Sequence, residues 1–394
     1  MRLTVSDILS FDYFRDLRLL AGQGGLGREV SGCGILDYEL EADLKGKYLH
    51  TNFYPGQLAV TSLLFAKSNP FLVRDAVKYL ASRGGSGLIV KNVFRLPLHD
   101  VVLRYADAKE FPILLADDRQ IWFEDLIVQI DRCLRAAEEL DAAEALISRL
   151  LYEKLEAAER RAAAGQLLPA LQDRYMALSF LIGERVSDSL LRDLSAAVKP
   201  LLPPVHRLLR HRKGLLLLLS ADELRPEDCQ AAAELLAGRF RQPAAGLSLI
   251  HHSPAEMDEA LRQALRAAAV HRLARGGPAA ADRVFLPYRE TGVYRLLLPL
   301  IDQEALSQYA CGILEPLLEF DAENRGSLTE TLLNLVRCGG DLHMLSRHTG
   351  QHENTLRNRL EKVRGLTGLS YRRPDQYEEL ALAARIYLLQ GVEE

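Results

Sequence analysis

Six polar side chains near the C-terminus have the types and spacing needed to read the bases of DNA. An Asn amide can form two hydrogen bonds with adenine, and an Arg guanidinium can do the same with guanine. A Thr side chain can meet a phosphate oxygen or the methyl group of a thymine. The predicted DNA contacts are His352, Asn354, Thr355, Arg357, Asn358 and Arg359.

Two short helices joined by a turn are predicted to position these side chains. The first helix is expected over Leu342–His348, and the turn at Thr349-Gly350-Gln351 contains a glycine. The second helix is expected to begin at His352 or Glu353 and to run to Arg364. This is the helix-turn-helix pattern, in which the second helix enters the major groove with its first residues nearest the bases.

The second helix carries an apolar face and a polar face. Leu356, Leu360 and Val363 follow an i, i+4, i+7 spacing, which predicts that they are buried. The opposite side then presents Asn354, Asn358 and Glu361, flanked by Thr355 and Arg357.

The charge of this segment differs from that of the whole chain. The 394 residues carry a formal net charge of −4, so any nucleic-acid contact must come from a local patch. Residues 327–374 contain eight basic and four acidic side chains, a local charge of +4 that would attract phosphate. On spacing and charge alone, a helical bundle with a solvated basic face explains the segment equally well.

The length predicts two or three domains. Residues 1–125 have a mixed α/β pattern, in which short apolar runs bounded by Gly, Pro or Asp alternate with helical stretches. The expected strands are Leu58–Thr61, Gly87–Val90 and Pro112–Leu115, and the expected helices are Phe71–Arg83 and Pro97–Lys109.

A helical connector is predicted for residues 126–172. From Trp122 to Gln172 the only glycine is Gly165 and the only proline is Pro169. An exposed helix of this kind can pack on its own copy, which favours a homodimer. The alternative is a helix that docks on a neighbouring domain of the same chain. The apolar residues at helical spacing are Leu134, Ile147, Leu150, Leu151 and Leu155.

Residues 173–320 again have an α/β pattern, whereas residues 321–394 contain helical candidates only. A hairpin is expected at Arg210–Gly214 and an exposed linker at Gly276–Ala281. The central strands are expected at Ala177–Ile182, Gly214–Ser220, Leu247–His251 and Tyr294–Leu298, and the central helices at Pro226–Arg239 and Pro254–Arg275. From Asp302 onward, helices are expected at Gln303–Phe320, Ser327–Cys338, Leu342–His348, Glu353–Leu366 and Asp375–Leu389.

Several other sequence features favour simpler interpretations. The glycine-rich run Gly22–Gly27 does not open a helix, so a hairpin turn is favoured over a nucleotide loop. Gly339-Gly340-Asp341 matches the start of the cyclase motif GGDEF, but it lies between two predicted C-terminal helices. The five cysteines and the scattered histidines lack metal-ligand spacing. No cofactor, metal site, catalytic residue or membrane segment is therefore expected, and the chain is expected to be cytoplasmic.

The segment His352–Leu360 resembles the HRNTLRYRL recognition-helix signature of the PucR/CdaR-type regulators. Leu328-Thr329-Glu330-Thr331-Leu332 is similar to the L..TL opening of that family's first helix. The N-terminal segments Leu3–Leu9, Gly22–Val30, Gly56-Gln57-Leu58 and Phe111–Leu114 resemble the family's sensory domain, and the middle of the chain resembles its degenerate GGDEF-like domain.

This resemblance implies a transcription regulator of a catabolic operon, often an activator, which responds to a small effector. It implies a ferredoxin-like GGDEF-like central domain that is catalytically silent. The chain departs from the family at Glu353 and Asn358, where Arg and Tyr are usual, and at Thr349 and Gln351, where apolar residues are usual. These departures bear on the operator sequence.

Two other classes of protein remain as alternatives. A nucleotide-binding or enzymatic α/β switch would need a phosphate loop or a carboxylate cluster, and neither is found in the sequence. A scaffold that makes only protein contacts would show no salt-dependent affinity for DNA.

Overall fold

The computed structural model of the protein describes residues 3–37, 53–116, 121–274 and 283–391. The predicted linker Gly276–Ala281 lies outside the described residues. The described chain forms two compact units. The first contains the residues up to Ala143 together with Ser187–Arg192, and the second contains the rest.

A five-stranded sheet organises the first unit. Its strand order is β1-β5-β4-β3-β2, in which β2 to β5 are parallel and β1 is antiparallel to β5. The elements are α1 (Val5–Leu9), β1 (Leu17–Ala21), β2 (Gly32–Ile35), β3 (Gln57–Thr61), α2 (Leu72–Ser82), β4 (Gly87–Val90), α3 (Asp100–Ala108) and β5 (Ile113–Ala116).

Strands β4, β5 and the middle of β3 are apolar, as expected where both faces of the sheet are covered. Successive side chains of a strand point to opposite faces. Ala59 and Leu88 lie in one core with residues of α2 and α3, whereas Leu58 and Ile89 lie in a second core with residues of α1. The helices and strands predicted for this unit are therefore present, with ends that differ by up to three residues.

The hairpin predicted at Gly22–Gly27 is wrong. Strand β1, which precedes it, pairs with β5 and not with the residues that follow the turn. The next residues make only an isolated bridge between Glu29 and Thr4. Gly22 has a φ of 78°, which glycine adopts without strain, and it precedes a single 3₁₀ turn. The glycines therefore allow the chain to reverse direction after β1.

Two helices occupy the predicted connector: α4 (Phe123–Tyr152) and α5 (Ala157–Leu167). The division between the two units falls within α4, after Ala143. Leu126 and Ile130 of α4 belong to the second core of the first unit. Ile147, Leu150 and Leu151 are also buried within the single chain, as expected for a helix that docks on its own protein.

The C-terminal end of α4 is held by charged contacts within the second unit. The Glu144 carboxylate accepts a hydrogen bond from Arg210 Nε at 3.2 Å and another from Arg185 Nη2 at 3.1 Å. Arg262 Nη2 donates to the carbonyl oxygens of Leu150 and Leu151, each at 2.9 Å. A cation is favourable at these carbonyls because they carry the negative end of the helix dipole.

A second five-stranded sheet lies in the second unit, with the order β10-β9-β6-β8-β7. Strands β7 and β8 form the predicted hairpin, and β6 is antiparallel to both β8 and β9. The elements are β6 (Arg174–Leu181), α6 (Asp188–Val198, which begins within the first unit), β7 (Val205–His211), β8 (Gly214–Ala221), α7 (Gln230–Ala237), β9 (Ala244–Leu247), α8 (Met257–Ala274) and β10 (Leu286–Pro287).

Gly246 allows α8 to pack closely on β9. A Cβ atom at this position would lie 2.1 Å from the backbone nitrogen of Ala268 and 2.5 Å from the carbonyl oxygen of Ala264. A larger residue would therefore push the helix away from the sheet. The strand predicted at Tyr294–Leu298 is wrong, because Tyr294–Leu297 forms a short helix, α9. A short apolar run fits either structure by its pattern alone.

The last part of the chain is helical, as predicted. Leu314 and Leu317 of the first of these helices share a core with Leu328, Leu332 and Leu380 from later ones. The helices are α10 (Glu304–Asn324), α11 (Leu328–Arg337), α12 (Leu342–Thr349), α13 (Glu353–Thr367) and α14 (Pro374–Gln390). In the described part of the chain, we find no helix with the length and apolar character needed to cross a membrane.

Candidate nucleic-acid interface

The turn between α12 and α13 is formed by the residue that ends the first helix and the residue that caps the second. Helix α12 ends at Gly350, which has a φ of 68°, a conformation that glycine adopts without a steric penalty. Ser346 Oγ donates to the carbonyl oxygen of Gln351 at 2.7 Å and closes the turn. Helix α13 begins after His352, whose Nδ1 accepts a hydrogen bond from the backbone N–H of Asn354 at 3.1 Å.

The two faces of α13 are those predicted from its sequence. Leu356, Leu360 and Val363 are each 1% exposed. Leu356 and Leu360 pack with Leu345 of α12 and Leu335 of α11. Burial of these side chains fixes the rotation of α13 about its axis, so the opposite side faces solvent.

The structure places five of the six predicted DNA contacts on α13 and His352 at its N-cap, but the six are not equivalent. Asn354, Thr355, Arg357 and Asn358 are exposed on α13. His352 is exposed at the position that caps the helix. Arg359 is only partly exposed.

Arg359 differs because it faces the preceding helix. Its Nη1 donates to Thr331 Oγ1 of α11 at 3.4 Å. It also lines a polar cavity of about 270 Å³ beside Asn334 and Gln351. Arg359 therefore lies at the edge of the exposed face of α13.

Ion pairs on α13 were not foreseen from the sequence. Glu353 Oε2 lies 3.0 Å from Arg357 Nη2, and Glu353 Oε1 lies 3.2 Å from His343 Nδ1. Further along, the Glu361 carboxylate contacts Arg364 at 3.3 Å and Arg372 at 3.5 Å. The i, i+4 spacing of Glu353 and Arg357 could have indicated their pairing. The contact with His343 joins two helices, and no local spacing signals it.

The motif Gly339-Gly340-Asp341 forms the turn between α11 and α12. Both glycines have a positive φ, and Asp341 Oδ1 accepts hydrogen bonds from the backbone N–H groups of His343 at 2.8 Å and Met344 at 3.0 Å. The aspartate thus caps a helix. Burial, and then the charge of Asp341, raise the pKa of the adjacent Cys338 thiol, which favours its protonated form.

Three packed helices, with an exposed polar face on the last, define a helix-turn-helix protein. Comparison with protein families agrees, since residues 328–386 match the PucR C-terminal helix-turn-helix domain. Residues 7–133 match the purine catabolism regulatory protein-like family. Two segments of the chain, one at each end, therefore match families of PucR-type regulators.

Two individual proteins are similar to parts of the chain. The purine catabolism regulatory protein of Bacillus subtilis (strain 168) is 28% identical over 115 residues, which are 28% of this chain and 20% of that protein. The match thus spans about a fifth of the length of that relative. The crystal structure of the regulator of polyketide synthase expression from Bifidobacterium adolescentis aligns with 62% of this chain and 99% of its own at 18% identity. Its TM-score of 0.28 is too low to establish a shared fold.

Proposed function

We propose that the protein is a transcription regulator, without enzymatic activity, which binds operator DNA through α13. One observation carries this proposal: Asn354 and Asn358 are exposed on the side of α13 opposite its buried leucines, and the exposed Arg357 flanks them. Such a helix can enter the major groove and present amide and guanidinium groups to base edges. Thr355, His352 and Arg359 would border the base contacts and meet the phosphate backbone.

A small effector is the second partner that we propose, and its binding would activate a catabolic operon. The relative from Bacillus subtilis is named for purine catabolism, which supports a catabolic role. A groove of about 480 Å³ lies between β2 and α4 in the first unit and supports effector binding there. Cys33, Tyr54, Ile127 and Arg135 are among its lining residues. Asp131 and Glu138 also line this groove, so a polar or charged effector would suit it better than an apolar one.

For the central region we propose a ferredoxin-like, GGDEF-like domain that is catalytically silent. The succession β6, α6, β7, β8, α7, β9 has the order of the split βαβ fold and supports this assignment. The turn of its hairpin carries Arg212 and Lys213 where a cyclase would place carboxylates. In the described residues, we find no group of three or more His, Cys, Asp or Glu side chains placed to hold a metal ion.

We also propose that the protein acts as a cytoplasmic homodimer, since helix-turn-helix dimers read two half-sites one helical turn apart. Among the apolar connector residues that favoured a dimer, Ile147, Leu150 and Leu151 are buried within the chain itself. A second surface supports association, because Val293, Leu296 and Leu300 are exposed at helical spacing near α9. The proposed parts of the chain remain 1–125 (sensory), 126–172 (connector), 173–320 (central) and 321–394 (DNA-binding).

Salt-dependent binding tests this proposal. Regulatory DNA from the protein's own organism and an unrelated duplex of equal length should be titrated between about 50 and 200 mM salt. We expect log K to fall linearly with log salt on both duplexes, with tighter binding to the regulatory DNA throughout. A protein that makes no phosphate contacts would bind neither duplex, and that result would contradict the proposal.

A further inference from the structure

Glu353 connects the start of α13 to two basic side chains. One carboxylate oxygen contacts Arg357, one turn further along α13, and the other contacts His343 of α12. The side chain of Glu353 is 34% exposed and that of Arg357 is 49% exposed. Both groups therefore lie at the edge of the face proposed to meet DNA.

The contact with Glu353 leaves most of the Arg357 guanidinium available. Arg has five N–H donors in a planar fork, and Glu353 engages Nη2. A guanine needs two of the remaining donors, for its O6 and N7 atoms. A flexible Arg side chain loses conformational entropy when it is fixed against a base. A carboxylate that already holds the guanidinium in the free protein reduces the entropy lost on binding.

Direct contact between Glu353 and DNA is disfavoured by the same geometry. A carboxylate repels phosphate, and both of its oxygens are engaged by basic groups here. To accept a hydrogen bond from a cytosine amino group, Glu353 would have to weaken at least one of these contacts.

We propose that Glu353 is a specificity-determining positioning residue, which holds Arg357 for a bidentate contact with guanine without touching DNA itself. This inference rests on the proposed DNA binding by α13. It predicts two opposite effects when the carboxylate is removed. Affinity for unrelated DNA stays the same or rises, because a negative charge is lost, while discrimination at one guanine falls.

Glu361 provides a matched control on the same helix. It pairs with Arg364 and Arg372 and not with Arg357. Glu361→Ala therefore removes the same charge from α13 and leaves the Glu353–Arg357 contact in place. Glu353→Gln is a conservative variant, since its amide oxygen can still accept a hydrogen bond from Arg357.

The experiment measures the affinity of each variant for an operator and for all its single-base substitutions. We expect wild-type protein to prefer guanine at one position by about 5- to 150-fold. Arg357→Ala and Glu353→Ala should lose most of this preference at that same position, and the double variant should lose no more than Arg357→Ala. Glu353→Gln should retain part of the preference, and Glu361→Ala should retain all of it.

The other possible outcomes contradict either the proposed DNA binding or the proposed role of Glu353. If wild-type protein shows no base preference, the proposed function is wrong, and this inference with it. If Glu353→Ala relaxes a different base pair from Arg357→Ala and the effects add, Glu353 reads a base directly. If Glu353→Ala and Glu361→Ala behave alike, Glu353 acts only through its charge. Either of the last two results would overturn the inference while leaving the proposed function standing.

Discussion

Arg359 of α13 and Thr331 of α11 are joined by a hydrogen bond of 3.4 Å between Nη1 and Oγ1. This contact ties the proposed recognition helix to the helix that precedes the helix-turn-helix pair. It also turns Arg359 away from Asn354, Asn358 and Arg357, which lie on the exposed face of α13. The proposed base contacts therefore fall mainly on these three residues.

Truncation of two of these three side chains tests this assignment. Arg357→Ala and Asn354→Ala should each weaken binding to the operator by about 1–3 kcal/mol, because each removes a pair of hydrogen bonds to a base. Binding to unrelated DNA should change much less. Fluorescence anisotropy with labelled duplexes measures both affinities.

Arg161 of α5 supplies the control for the loss of a positive charge, because it is exposed and lies outside the C-terminal helices. Arg161→Ala should bind the operator like the wild-type protein. Wild-type affinity in both Arg357→Ala and Asn354→Ala would show that these side chains do not face the bases.

The turn glycine gives a prediction about stability. Gly350 has a φ of 68°, and a Cβ atom there would meet nothing within 4 Å, so only backbone strain opposes a side chain. Gly350→Ala should therefore destabilise the α12–α13 pair by about 1–2 kcal/mol. Hydrogen exchange should show reduced protection of the amides in these two helices, while the sheet of the first unit keeps its protection.

Asparagine tolerates the left-handed conformation better than alanine. Gly350→Asn should therefore retain more protection than Gly350→Ala. Equal protection in wild-type protein and Gly350→Ala would mean that the positive φ carries no cost here.

Features of the interface that depend on residues close together in the sequence could be predicted, whereas contacts between distant residues could not. The apolar spacing of Leu356, Leu360 and Val363 and the glycine after α12 are local signals, and they predicted the helices and the exposed face correctly. The sequence places Arg359 among the predicted DNA contacts, because it does not show that Thr331 lies beside this side chain. Contacts between distant residues determine such details.

The same distinction explains the errors in the fold. Strand β1 pairs with β5, which lies far along the chain, whereas the local sequence of the adjacent glycine-rich turn favours a hairpin. The apolar side chains of the connector predict that one side of the helix is buried, but they do not show whether the same chain or a second copy buries it. In the structure, Ile147, Leu150 and Leu151 are buried within the chain itself. The run at Tyr294–Leu298 was too short to distinguish a strand from a helix.

His211 makes stability depend on pH. It lies at the end of β7, where burial, and then the charge of Arg212, lower its pKa from 6.5 to about 4, although Glu144 acts in the opposite direction. Below pH 6.5 the unfolded chain binds a proton that the folded chain does not. Stability should therefore fall between pH 6.5 and 4, by at most about 1.4 kcal/mol per pH unit from this group.

Urea unfolding of wild-type protein and His211→Gln at pH 7 and pH 4.5 measures this effect. The variant should lose less stability on acidification than the wild type. His252→Gln replaces an exposed histidine and should behave like the wild type. An identical pH dependence in wild type and His211→Gln would contradict the prediction.

The proposed dimer can be tested at the exposed apolar surface near α9. Leu296 is 70% exposed, the highest fraction among the large apolar side chains of the described residues. Leu296→Glu places a charge on this surface and should convert the dimer to monomer in analytical ultracentrifugation, because burying an unpaired charge is costly. Val128→Glu alters an exposed position on α4 and should leave the dimer intact. A Leu296→Glu protein that remains dimeric would exclude this surface.

The central claim is that α13 reads a specific DNA sequence. Purified wild-type protein and Arg357→Ala should be incubated with fragmented genomic DNA from the protein's own organism, and the retained fragments should be sequenced. We predict that the wild-type protein enriches a small set of promoter regions sharing one motif and that Arg357→Ala loses this enrichment. Uniform recovery of the genome by the wild-type protein, or retention of the same promoters by Arg357→Ala, would contradict sequence-specific reading of DNA by α13.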